Sequence, residues 1–162
     1  MTTINRKGTV GALLNAYQKV IAELQEVITN IDDRKLAAIA DAETADVRCT
    51  SIQTILTHVV AAGYSHANYI RQAAGADPDP HSDIVYTTAR DYCRELDDVF
   101  SFISDTFKSI EDGDLEEFDN DKKVLTNWGQ RYDIEQMAEH AIVHFIKHIR
   151  QIKNFEVSLS SM

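Results

Sequence analysis

Proline is almost absent from this chain of 162 residues: there are two, Pro78 and Pro80, both in the stretch AAGADPDPHSD. Helices elsewhere are therefore free of their strongest breaker. Cysteine is as scarce. Cys49 and Cys93 form no CxxC pair, which argues against a disulfide scaffold and a redox pair and leaves two ordinary reduced thiols. The six glycines never form GxGxxG or a P-loop, so a nucleotide has no phosphate cradle. No run of about 20 apolar residues occurs, and the opening MTTINRKGTVGALLNAYQKV places polar residues where a secretory signal needs an unbroken apolar core. The expectation is a soluble cytoplasmic protein that spans no membrane. Positive charge is in deficit: 16 basic against 26 acidic residues give a formal charge of −10, which repels a phosphate backbone and argues against nucleic-acid binding. Alternation of period two is missing over any useful length, so no sheet is expected.

Several catalytic and metal motifs are missing as well. The acidic stretch EDGDLEEFDND, starting at Glu111, has no glycine at the sixth position of a calcium loop and no closing glutamate, and reads as a solvated loop. No serine lies in a GxSxG elbow. An HExxH zinc-protease motif fails because Ala141 stands where its glutamate would be.

What the chain does contain is helical periodicity, in four long blocks. The first carries Val10, Leu13, Tyr17, Val20, Ile21, Leu24, Val27, Ile28 and Ile31 at steps of one, three and four. A second runs from Thr50 to about Ala74, with Thr50 and Gln53 in the form of a capping box. The third holds Tyr92, Cys93, Leu96, Val99, Phe100, Ile103, Phe107 and Ile110, with Thr87 or Thr88 as its cap. The fourth runs from Ile134 to about Phe155, capped by Asp133 with Gln136 in the reciprocal position. Four helices in a chain of this length make one domain over 1–162, an all-α four-helix bundle. The long connections Asp32–Cys49 and Glu111–Tyr132 have the length of crossovers or functional loops, and have room for a short element.

Within the fourth block, EHAIVHFIKHIRQI places His140, His144 and His148 four residues apart along one stripe. Taking His140 as 0°, the apolar side chains centre near about 135°, so His148 lies about 55° from that centre, His144 about 95° and His140 about 135°. His144 and His148 thus edge the core, where apolar packing shields an ion on one side and solvent reaches it on the other. His140 is expected to lean toward Glu139, Lys147 and Gln136. A third ligand must come from another helix. The second block offers His58 or His66, about 12 Å apart along the axis, so only one can join the pair. His66 lies nearer the middle of its apolar arc and His58 at its edge, and periodicity does not choose between them.

The segments ILTHVVAAGYSHANYI and HFIKHIRQI, together with WGQRYDIEQMAEHAIVHFIKHIRQI, resemble the DinB/YfiT-like metalloenzyme superfamily, whose pattern is a lone histidine on the second helix and HxxxHxxQ near the end. The likeness spans nearly the whole chain. It implies a DinB-like bundle with metal ligands at His58, His144 and His148, and Gln151 at the glutamine that follows. His140 falls outside that triad, and Ile149 and Arg150 stand where many members have Arg-Gly. The resemblance implies a divalent ion, zinc or nickel, a small-molecule substrate, a homodimer, and chemistry in which the ion activates a low-molecular-weight thiol for transfer. Two other classes stand beside a thiol transferase: a hydrolase using metal-bound water, and a non-catalytic bundle with structural histidines. Carboxylates on a thiol cofactor call for a cation facing the metal, with Arg71, Arg90 and Arg150 as candidates. Loading should weaken below about pH 6, where imidazole takes up a proton.

Overall fold

The computed structural model describes residues 4–161. The chain is mostly helical. Four long helices, α1 (Gly8–Thr29), α3 (Ile52–Ala73), α4 (Ala89–Phe107) and α5 (Ile134–Ser160), lie side by side, with one short turn of helix, α2 (Asp33–Leu36). α3 packs on α4 and α5, and α1 packs on the same two from the opposite side. The apolar faces meet in a single core that also takes in Leu36, Cys49, Ile110 and Leu115 from the connections.

Local chemistry explains where the helices begin. Asp133 accepts from the Gln136 backbone N–H while the Gln136 side chain accepts from the Asp133 N–H, the reciprocal pair expected there. Thr88, of the two threonines considered, caps α4 through the Asp91 N–H. The start of α3 is one residue later than expected: Ser51 and Thr54 form the capping box in place of Thr50 and Gln53. Gln53 instead turns outward and donates to the Tyr86 carbonyl. At the other end, α5 runs five residues past Phe155, to Ser160.

Side-chain pairs give the helix directions. Thr57 meets Tyr92, Tyr64 meets Glu95 and Arg71 meets Thr106, so α3 and α4 run parallel. Arg6, just ahead of α1, reaches the carbonyls of Phe107 and Ile110, while Gln25 reaches Cys93 and Asp97, so α1 opposes α4. Glu23 pairs with Lys153. His58 lies against His144 and His148, and His66 against His140, so α3 and α5 are antiparallel.

Parallel neighbours need a connection that returns the length of the bundle. Residues 74–88 supply it, so the crossover is the proline-bearing stretch and not the two longer connections. Its extended backbone runs back along α3 as a strap. Asn68 holds Asp79 by two hydrogen bonds, donating to its carbonyl and accepting from its N–H. His81 stacks on Tyr64 with ring centroids 3.7 Å apart. Farther along, Tyr86 shares Glu95 with Tyr64, each hydroxyl donating to one carboxylate oxygen at 2.7 Å.

The expectation of no sheet is corrected. β1 (Val124–Leu125) and β2 (Arg131–Tyr132) pair antiparallel just before α5. Strands of two residues are too short to show an alternating pattern, and turn chemistry holds them: Thr126 Oγ1 donates to the Gln130 carbonyl and accepts from its N–H, and Gly129 takes φ +89° at the bend.

Gly63 marks a close approach of α4 and α5 to α3. A Cβ there would lie 2.8 Å from Val99 Cγ1 and 3.6 Å from Phe145 Cζ. Helix propensity alone favours alanine by about 1 kcal/mol. Overpacking against a stiff valine costs more, so Gly63→Ala should lower stability by about 1–2 kcal/mol net in urea unfolding. Adding Val99→Ala removes the clash, and the double variant should lose less than the two single losses added together. Additive losses, or a more stable Gly63→Ala, would contradict this packing.

Candidate metal centre

His58 projects from the second turn of α3, and His144 and His148 from successive turns of α5. Because the two helices are antiparallel neighbours, the three side chains converge. His58 Nε2 lies 3.0 Å from His144 Nε2, which lies 3.2 Å from His148 Nε2. The ligand atoms of all three fall within 4.8 Å of one another. His58 and His144 are half-buried and His148 is buried, so one side of the cluster is core and the other opens to a cleft.

Protons alone do not satisfy this arrangement. A neutral imidazole carries one N–H and one lone pair, and three ring nitrogens facing a common point cannot each find a partner among themselves. Nδ1 of His148 lies 2.9 Å from Gln151 Oε1, and the amide oxygen only accepts, so the proton is on Nδ1 and Nε2 presents its lone pair. At metal–nitrogen distances of about 2.0–2.1 Å, neighbouring ligands are about 2.9 Å apart in an octahedron and about 3.3 Å apart in a tetrahedron. The observed 3.0 and 3.2 Å fall between them. The three histidines are close enough to bind a divalent ion.

Burial keeps the cluster neutral. Desolvation, reinforced by the charges of Arg48 and His148, pushes His58 down to about 4. His144 is lowered further, by burial first and then by the neighbouring imidazoles. For His148, burial also wins, against the opposing hydrogen bond to Gln151. Proton competition with a metal at His58 therefore sets in nearer pH 4 than the pH 6 expected from free imidazole.

The cluster forms part of the wall of a cleft of about 930 Å³ between α3, α5, the strap and the β1–β2 turn. His66 is buried, as its place on the apolar arc implied. His140 departs from expectation. It does not lean away from the site but lines the same cleft, because the β1–β2 turn brings Trp128 over it, with ring centroids 5.0 Å apart. A helical wheel does not register an element folded back onto the helix.

The cations also differ from those expected. Arg71 donates to Thr106 Oγ1 and covers the Phe102 ring, and Arg90 and Arg150 are exposed; none lines the cleft. Arg48 and Lys147 do line it. Arg48 sits on the turn before α3, its fork held by Asp46 at 2.8 and 2.9 Å. Lys147 had a sequence signal, lying three residues after His144 and one before His148. Arg48 had none, since only the packing of its turn beside α3 brings it near His58.

Among the described residues, no helix is long and apolar enough to cross a membrane. No family model, curated protein or solved structure matches the chain.

The depressed histidines make the stability of the metal-free protein depend on pH. The unfolded chain takes up protons near pH 6.5, while the fold holds His58 to about 4 and His66 to about 3. Between these values the unfolded state binds more protons, so stability falls as pH falls. The urea midpoint of metal-free protein should drop steadily from pH 7 to pH 5, above the range where most carboxylates titrate. A midpoint that stays level over this interval would show that these imidazoles titrate as they do in water.

Proposed function

We propose that this chain is a DinB/YfiT-like metal-dependent enzyme, most concretely a transferase that works through a low-molecular-weight thiol. The observation that carries the reading is the convergence of His58, His144 and His148 Nε2, with His148 fixed in the ligating tautomer by Gln151. Three imidazoles leave one or more positions of a zinc or nickel ion open toward the cleft, the arrangement of a catalytic site. A bound ion would supply Lewis acidity, lowering the pKa of a coordinated thiol so that it is present as thiolate at neutral pH.

The residues around the cluster support a thiol over a water. Arg48 and Lys147 lie on the His58–His148 side of the cleft, where both influence the titration of these two imidazoles. They suit the carboxylates that small biological thiols carry. Asp46 occupies part of the Arg48 fork and orients it, and a guanidinium keeps further N–H donors free. A hydrolase needs a general base beside the metal; of the two carboxylates that line the cleft, Asp46 is already engaged by Arg48 and Asp83 belongs to the strap.

Cobalt-loaded protein provides the test, because thiolate coordination to cobalt gives a near-ultraviolet absorption band. 3-Mercaptopropionate should bind about five- to tenfold more tightly than 2-mercaptoethanol, a neutral thiol of similar size, as befits one partly exposed charge-assisted contact. Arg48→Ala together with Lys147→Ala should bring the two thiols to equal affinity. The proposal fails if neither thiol gives the band, or if the preference for the carboxylate survives the double substitution.

A further inference from the structure

The cleft is polarised along the α3–α5 seam. Both cations lie on the side of His58 and His148. On the other side of His144 the wall includes His66, Tyr69, Trp128 and His140, four aromatic rings with no lysine, arginine or carboxylate among them. The Trp128 ring stacks on His140 at 19° and meets Tyr69 and His66 edge-on, with centroids 5.8 and 6.0 Å away.

This wall is built in advance. Trp128 Nε1–H donates to Gln130 Oε1 at 2.9 Å, and the same oxygen accepts from Tyr132 Oη at 2.6 Å. Tyr132 Oη in turn lies 3.4 Å from His140 Nδ1. The Asn127 backbone N–H donates to Tyr69 Oη at 2.9 Å, which ties the β1–β2 turn to α3. Trp128 is 40% exposed. Its one polar atom is already satisfied within the turn, so what it offers to a ligand is aromatic surface.

His66 adds a direction. The residue is 5% exposed, and its Nδ1 is buried with no hydrogen-bond partner. Burying an unpaired N–H is more costly than burying an unpaired lone pair, which places the single proton on Nε2. Nδ1 is sealed, so the rest of the ring is what lines the cleft, and Nε2–H is its one donor.

We infer that this end of the cleft is a subsite for an uncharged aryl group bearing a hydrogen-bond acceptor, carried by the second substrate and held by Trp128, His140, Tyr69 and His66. As a statement about substrate this rests on the metal-dependent reading above. As a statement about binding it does not, and it is tested without metal. The second substrate is then an aryl compound with its ring against Trp128, while the thiol carboxylate occupies the cationic side.

Trp128 is the only tryptophan of the chain, so its fluorescence reports on this wall directly. Metal-free protein is titrated with phenol, and with cyclohexanol as a hydroxyl compound of the same size without a π face. Phenol should give a saturable change with a dissociation constant at least about fivefold below that of cyclohexanol. His140→Leu, which keeps bulk and removes the stacking partner, should weaken phenol about fivefold, and Arg150→Ala, an exposed position outside the cleft, should leave it unchanged. The inference is overturned if phenol binds no better than cyclohexanol, if the change does not saturate, or if Arg150→Ala costs as much as His140→Leu. A protein that takes up no metal defeats the enzyme reading while leaving the phenol result standing. A protein that loads metal but does not distinguish phenol from cyclohexanol defeats only the subsite.

Discussion

The antiparallel contact between α3 and α5 is the constraint on which the rest of the site depends. Each histidine of α3 is brought to a fixed partner on α5 by the register of that seam, His58 to His144 and His148, and His66 to His140. A slip of one turn, about 5.4 Å, would separate the three nitrogens beyond the reach of one ion. The register is fixed by shape. Gly63 lets Val99 of α4 come within 2.8 Å of where a Cβ would stand, and Phe145, next to His144, fills the space beside it. A glycine in the middle of a helix weakens it, and here the cost is offset by the approach of two neighbouring helices.

That packing has electrostatic consequences. Half-burying imidazoles against a core removes water from their charged form and leaves neutral rings with lone pairs at pH 7. The cluster thus needs no proton displaced before it coordinates, and it does not repel an ion. The antiparallel seam also separates the chemistry along the cleft. Arg48 and Lys147 lie on the side of His58 and His148, and the Trp128 wall lies on the side of His66 and His140. The strap closes one side. It exists because α3 and α4 run parallel and the chain has to return, and its prolines keep it extended.

Much of this was legible in the sequence, and the reasons are specific. Periods of three and four found all four long helices, since each buries one face along its length. Asp133 with Gln136 fixed the start of α5 to the residue. The place of His144 and His148 on the edge of the core followed from angle alone. The choice of His58 over His66 did not. It came from a resemblance, and in the fold it follows from which turn of α3 faces His148. Three features escaped, two of them because they depend on contacts between segments far apart in sequence. The β1–β2 turn is too short to show a period, yet it moves His140 from the surface into the cleft. Arg48 lies in a loop, and only packing brings it to the histidine cluster. The crossover at 74–88 is shorter than the two long connections, which do hold short elements, α2 in one and the β1–β2 pair in the other, and helix direction alone decides that it is the return path.

The central claim is that His58, His144 and His148 together form one metal site. It is tested most directly by the metal content per chain of protein purified without a histidine tag, compared across single alanine variants of five histidines. One ion per chain is expected in the unaltered protein, and His58→Ala, His144→Ala and His148→Ala should each lower affinity by at least about tenfold. His81→Ala and His140→Ala should retain the ion, since neither belongs to the convergent set. Loss of the ion in His140→Ala with retention in His148→Ala would contradict the account, because the site would then be built one turn earlier on α5.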